Sequence, residues 1–485
     1  WQMARNPTHY ARLSLLLILT AGLGIFASSF GATLELSFEE RVLYATGSDI
    51  RVDGVRPSFN PRPFVPTRSR RNRPTPTATP PPDERPTMVE AYEAVPGVER
   101  GSPVLASSGH DLSKTFGESY SLIAMDSESF NQVAWFRRDF ADKPMSELLD
   151  SLKAVDLPEG ITLPADASSI GLRLRPDRPH PTVRVTARIK DAKDRYSTYF
   201  FGTLRSSDWS VVEASLSIPR LSLLRQPDLP LKLVSLRIHE LGGDADIGRR
   251  LQAGSILIDD IWVGTAGGER VVIEAFEDAS GWRVLDASAE AVSDLLREAD
   301  GGFDDGKGVM FSWSQGNALT AHGIYPGSSP TTVPVLASKS FVERTGHSPG
   351  DEFKVSVAGF RIPVRLEETL NLFPTMMSLD EKLLVADLTS ITRYANLGAI
   401  DRELLANGVW ISVADNGVER AETMQALEVV PRFSSRVIHD RAQRLARSQV
   451  DPLVEAGWRA LLFIAFGAVL ILSCLGFLVH AYVSF

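Results

Sequence analysis

Cysteine is nearly absent: Cys474 is the only one in 485 residues. A disulfide framework within the chain is excluded, so the fold must rest on packed cores. Charge of one sign does not accumulate either. The 51 Lys and Arg against 60 Asp and Glu leave a formal charge of −9, spread along the chain. No basic stripe for a nucleic-acid partner follows from that balance. The eight histidines are scattered, and no Cys/His group has metal-ligand spacing. Long uncharged runs are missing from the interior and occur only near the ends, at 13–34 and 460–479, with about 420 residues between them.

Each run meets the ~20 residues needed to cross ~30 Å of hydrocarbon as a helix. If both cross, everything between them lies on one side of the membrane. Arg5 and Arg12 precede the first run, and Glu35, Glu39 and Glu40 follow it. The positive-inside rule then puts the N-terminus in the cytoplasm and the large region outside. The basic cluster Arg68, Arg70, Arg71 and Arg73 falls on the outer side, but long loops translocate largely regardless of charge. A rival reading makes residues 1–31 a signal peptide cut near Ala27, Ser28 and Ser29. The run's continuation to Leu34 favours a span. The chain starts at Trp1 and stops six residues after the second run, which reads as a piece of a longer membrane protein.

Composition divides the interior. Residues 57–86 hold ten prolines and an Arg cluster, a polyproline-like or disordered loop that cannot bury a core. Short helices are expected at 89–94, 128–136 and 146–154, with strands at 103–106 and 120–125. Between 155 and 325 the period becomes two. Val183, Val185, Ala187 and Ile189 alternate with Arg184, Thr186, Arg188 and Lys190, and further strands fall at 196–204, 209–216, 234–238, 255–263 and 271–276. Many short strands at this spacing predict an antiparallel β-sandwich, a jelly roll. After 326 the spacing predicts a helix at 339–345 stopped by Gly346 and a hairpin across Ala358-Gly359. Residues 435–456, with Val437, Ile438, Leu445, Val450 and Leu453 among charges, read as one amphipathic stalk helix feeding the second span, kinked at Pro452.

Catalytic and cofactor motifs fail on inspection. Gly301 to Gly308 nearly matches a phosphate-binding loop, yet Gly308 replaces the metal-binding hydroxyl and Asp304 and Asp305 would repel phosphate. A turn between strands is the better reading, so the chain carries no ATP site of its own. His239-Glu240 lacks a second His one turn on. No nucleophile with a base and orienter stands out, and no cofactor is expected. Asp259 and Asp260 are weak candidates for Ca²⁺, with a solvent-facing pair as the plainer reading. Trp209, Trp262, Trp282, Trp313, Tyr196 and Tyr199 could form a sugar-stacking face, although aromatics in a sandwich are more often core. Gly24, Ser28 and Ala32, four apart in the first span, form a narrow stripe suited to close helix packing.

These features together resemble the FtsX-like/MacB-like family of bacterial ABC-transporter permeases. The quoted segments are Ala4-Arg5-Asn6-Pro7 with Ala27-Ser28-Ser29-Phe30, Val95-Pro96-Gly97-Val98 with Ser102-Pro103-Val104, Gly350-Asp351, Leu372-Phe373-Pro374-Thr375, Val450-Asp451-Pro452-Leu453 and Trp458-Arg459. The order of these segments and the topology carry the resemblance, which covers the first span, about 35–150 and 326–485. It implies an α+β membrane protein in the bacterial plasma membrane. A cytoplasmic lead-in (1–12) and a span (13–34) would precede a split mixed α/β extracytoplasmic domain (35–154 and 326–434). A jelly roll (155–325) would be inserted in that domain, and a stalk (435–457) and second span (458–482) would follow. The implied partners are a separate cytoplasmic ABC ATPase, the lipid bilayer, a second permease copy or half, and a glycan or lipid substrate. No nucleic acid is implied, and ATP hydrolysis would belong to the other subunit.

Overall fold

The computed structural model describes residues 7–57, 87–114, 117–153, 157–216, 227–240, 250–285, 294–304, 306–317, 322–328, 331–399, 403–414, 417–430, 433–435, 437–449 and 455–484. The Pro/Arg-rich stretch after Pro57 and the stalk positions Val450 and Leu453 lie outside the described residues. The architecture is mixed α/β, rich in strands, and built on three large sheets.

Two of these sheets, six strands each, form the sandwich. One runs Trp282–Val284, His322–Pro326, Lys232–Glu240, His180–Lys190, Tyr196–Leu204, with Ile161–Thr162 beside Lys232–Glu240. The other runs Leu295–Asp300, Lys307–Trp313, Gly254–Thr265, Ala167–Pro176, Ser210–Ser215, with Arg270–Glu274 on Gly254–Thr265. Every pairing in both is antiparallel. The period-two pattern explains the core. Ile170, Leu172 and Leu174 from one sheet meet Val183, Val185, Ala187 and Ile189 from the other, all nearly inaccessible. The strands Leu295–Asp300 and Lys307–Trp313 pair antiparallel, so Gly301 stands at the connection between paired strands.

The third sheet has nine strands in the order Glu352–Val357, Phe360–Leu370, Val333–Ser338, Leu383–Asp387, Ser119–Met125, Val98–Asp111, Gly408–Val413, Ile50–Asp53, Val437–Asp440. Two of its pairings are parallel, Val333–Ser338 with Phe360–Leu370 and Leu383–Asp387 with Ser119–Met125. Segments from both sides of the sandwich interleave here, so this domain is split in sequence and continuous in space. Local chemistry sets its turns. Ala358 and Gly359 both have positive φ, +50° and +89°, in the two-residue hairpin turn. Ser338 caps the helix Lys339–Thr345 at one end, and Gly346 in the left-handed region closes it at the other.

The sandwich docks on the helix Leu388–Gly398. Donors from its first sheet, two of them cations, point at the last carbonyls of that helix, which lack intrahelical partners. Arg188 donates to the Asn396 carbonyl at 3.3 Å, Ser235 to Leu397 at 2.7 Å, and Arg237 to Ala399. Glu403 stands 3.7 Å from Arg188, and burial raises its pKa.

The N-terminal helix is a single rod, Pro7–Thr46, of 40 residues. It continues 12 residues, about 18 Å, past the end of the uncharged run at Leu34. The C-terminal helix is Glu455–Ser484. The two pack antiparallel, with Thr20 and Ser473 hydroxyls 3.0 Å apart. By length and composition Ile18–Thr46 could cross a membrane. The apolar stretch described in the C-terminal helix, Phe463–Gly476, is shorter than a crossing needs. Among the described residues one helix, not the expected two, is therefore long and apolar enough to cross.

Candidate functional site at the junction of the two terminal helices

The first helix ends at Gly47, whose amide donates to the Leu43 carbonyl at 2.7 Å with φ +79°. A Cβ there would lie 2.4 Å from the Trp410 ring, so only glycine fits. Three residues later the chain enters the strand Ile50–Asp53. Ile50 and Val52 are fully buried in that strand. Its neighbour on one side is Val437–Asp440, in register Val52 opposite Ile438. That neighbour runs directly into the helix Arg441–Gln449, which packs on the N-terminal helix. The segments leading to the two terminal helices are thus adjacent strands of one sheet.

Charge clasps this junction. Arg441 is 3.1 Å from Asp49, and its amide donates to the Asp49 carbonyl at 3.0 Å. Arg420 meets Asp440 at 2.6 Å, with about a tenth of each side chain exposed. Asp440 also accepts from the Ala442 amide at 2.9 Å, starting the helix. His439 lies between Asp53, 3.1 Å from Nε2, and Arg444, 2.6 Å from Nδ1. A guanidinium only donates, so Nδ1 accepts and the proton sits on Nε2, facing Asp53. Burial, and then the nearby Arg51 charge, hold this imidazole below its ordinary pKa.

The expected site residues divide. Gly24 faces Phe466 of the C-terminal helix, whose ring edge would lie 3.0 Å from an added Cβ. Ser28 and Ala32 are exposed and take no part in that contact. The single stalk helix from 435 is corrected. Val437 and Ile438 lie on the edge strand, and helix begins at Arg441. A short apolar pair suits either structure locally, and pairing with Ile50–Asp53 decides it. Leu445 is half-buried in the helix that packs on the N-terminal one.

The acidic pair is occupied by the fold itself. Asp259 is buried and accepts backbone amides from Asp260 (2.9 Å) and Phe303 (2.7 Å). Asp260 sits in a bulge at φ +38° and pairs with Arg173 at 2.7 Å. Burial and the neighbouring Asp259 charge raise the Asp260 pKa. Among the described residues no three His, Cys, Asp or Glu side chains are placed to hold a metal. The aromatics disperse as well. Trp282 and Trp313 are core, Trp262 is buried, Tyr196 and Tyr199 are half-buried, and Trp209 is only partly covered.

Sequence reasoning missed Asp49, Arg420, His439, Asp440 and Arg441. Asp440 does carry a local signal, an Asp just before an amphipathic run, which marks a helix start. Asp49, His439 and Arg441 meet through strand pairing across nearly the whole chain, which has no local signature, and Arg420 reaches Asp440 from the helix Gly417–Leu427. No protein-family model matches the chain, and no curated protein matches it.

Proposed function

We propose that this chain is a permease subunit of an ABC transporter or mechanotransmission complex in a bacterial plasma membrane. A separate cytoplasmic ATPase would drive it, and the two terminal helices would carry the resulting motion to a large extracytoplasmic domain. One observation carries this reading: the segments from both terminal helices form neighbouring strands of one sheet, fixed by buried pairs such as Arg420 with Asp440. A shift of one helix relative to the other would act on that sheet directly. The exposed apolar surface of both helices, Ile18 and Ile25 on one and Phe463 and Ile464 on the other, suits lipid. The order of the segments that resemble the FtsX-like/MacB-like permeases adds support. The inserted sandwich is read as a jelly roll, its strands passing repeatedly from one sheet to the other.

The test uses the full chain in bacterial membranes. The chain should resist alkaline carbonate extraction and co-purify with an ATPase subunit. Gly24→Leu, whose added side chain would meet the Phe466 ring, should lower ATP turnover of the reconstituted complex several-fold. Wild-type coupling in that variant would count against the reading.

A second reading is a membrane-anchored glycan-binding protein that uses the sandwich. It is favoured by one cluster on the sandwich's outer face. Arg173 lies 4.2 Å over the Phe303 ring, Arg175 lies 5.1 Å over Trp209, and the two rings meet edge-on at 5.6 Å. Polysaccharide binding that is abolished by Trp209→Ala would support this alternative.

A further inference from the structure

A cavity of about 440 Å³ opens where the N-terminal helix meets the mixed domain. That volume suits a small organic ligand. On the helix its wall begins at Ser37 and ends at Tyr44. Ser37 is three residues past Leu34 and Tyr44 ten, so the cavity spans roughly 5–15 Å above the end of the uncharged run. Its other walls are a 135–140 loop and a 372–379 loop.

These walls are fixed by backbone. The Trp135 amide donates to the Gly47 carbonyl at 2.8 Å, and the Thr375 amide to the Tyr44 carbonyl at 2.8 Å. Phe140 packs edge-on against both Tyr44 (5.6 Å) and Trp135 (5.4 Å). At the rim Met377 is 96% exposed and Leu379 is 72% exposed, although both line the cavity. Two large apolar side chains in water beside an apolar cavity mark a surface that meets something apolar.

The charges decide what kind of ligand fits. Arg137 is engaged by both Glu40 and Asp139, at 2.5 and 2.6 Å. Arg41 lines the same cavity, is exposed, and has no ion pair among the described residues. An aromatic and apolar cavity with one exposed cation outside any described ion pair, set just above an apolar span, complements an acyl chain with an anionic head. We infer that this cavity takes an anionic phospholipid from the outer leaflet, its acyl chain against Trp135 and Met376 and its head at Arg41. The inference rests on the membrane reading above and deepens it by naming a lipid site.

The experiment places a photo-crosslinking p-benzoylphenylalanine at Met377 of the full chain, in nanodiscs of phosphatidylcholine with a minority of phosphatidylglycerol. A matching probe at Val211, exposed on the sandwich, is the control. Mass spectrometry should find phosphatidylglycerol adducts at 377 at least three-fold above that lipid's mole fraction, and few adducts at 211. Arg41→Glu should remove the enrichment while the chain stays embedded. Adducts that follow mole fraction, that equal those at 211, or that persist unchanged in Arg41→Glu overturn the lipid site. A chain released by alkaline carbonate overturns the membrane reading instead, so the two failures are distinguishable.

Discussion

The sandwich and the nine-stranded sheet are both β-rich, yet they are assembled in opposite ways. Every sandwich strand comes from one continuous stretch, Ile161–Thr162 through His322–Pro326, and its core is largely its own. The nine-stranded sheet draws strands from both sides of that stretch, and places Ile50–Asp53 between Gly408–Val413 and Val437–Asp440. The first is organised as a unit that can fold before the rest is made. The second cannot close until the chain is nearly complete. The two units meet at the helix Leu388–Gly398 and at a shared core where Val234, Leu285 and Tyr325 of the sandwich stretch pack with Val333 and Phe341.

This contrast can be broken by substitution, read by urea unfolding of the full chain with probes in each domain. The largest effect is expected from Asp440→Ala. It leaves Arg420 without its carboxylate and removes the cap of Arg441–Gln449. Loss of one partner of a buried pair costs about 3–5 kcal/mol, and only the nine-stranded domain should move. Gly171→Val is the counterpart in the sandwich. Its Cβ would lie 2.4 Å from the Trp262 ring, and such overpacking costs about 1–3 kcal/mol in that domain alone. Equal shifts of both domains in either variant would erase the distinction. Ser235→Ala tests the seam. It removes a 2.7 Å hydrogen bond to the Leu397 carbonyl, costs about 1 kcal/mol, and should separate the two unfolding steps further.

The smallest effect is a pH dependence at the junction. His439 has a folded pKa below its ordinary 6.5, so the unfolded chain binds this proton more readily. Its contribution is intact above pH 6.5 and is lost as pH falls from there through the folded value. The nine-stranded domain should weaken between neutral and mildly acid pH, and His439→Gln should flatten that part of the profile. An unchanged slope in His439→Gln would remove the imidazole from the account.

The sandwich was the legible half. Alternation at Val183 to Ile189 shows two faces without any knowledge of partners, and the strand at 196–204 matches Tyr196–Leu204. The Gly346 stop and the Ala358-Gly359 hairpin were equally plain, because positive φ confined to one or two adjacent residues decides each. The junction was illegible for the converse reason. Val437 and Ile438 sit in a four-residue strand whose partner lies nearly 390 residues earlier in the chain, so no window of sequence contains the interaction. The cavity beside the N-terminal helix was hidden in the same way. Its lining comes from three distant segments, and of its residues Glu40 and Leu372 had drawn notice for other reasons.

The hydroxyl contact between Thr20 and Ser473 limits how the two terminal helices can move. Sliding one past the other by a helical turn, about 5.4 Å, would part these groups in otherwise apolar surroundings. Tilting about that point keeps them together. Under the permease reading proposed above, the contact would act as the rivet of a pair of scissors: a small change of angle on one side of it would become a wider displacement at the far ends of the two helices.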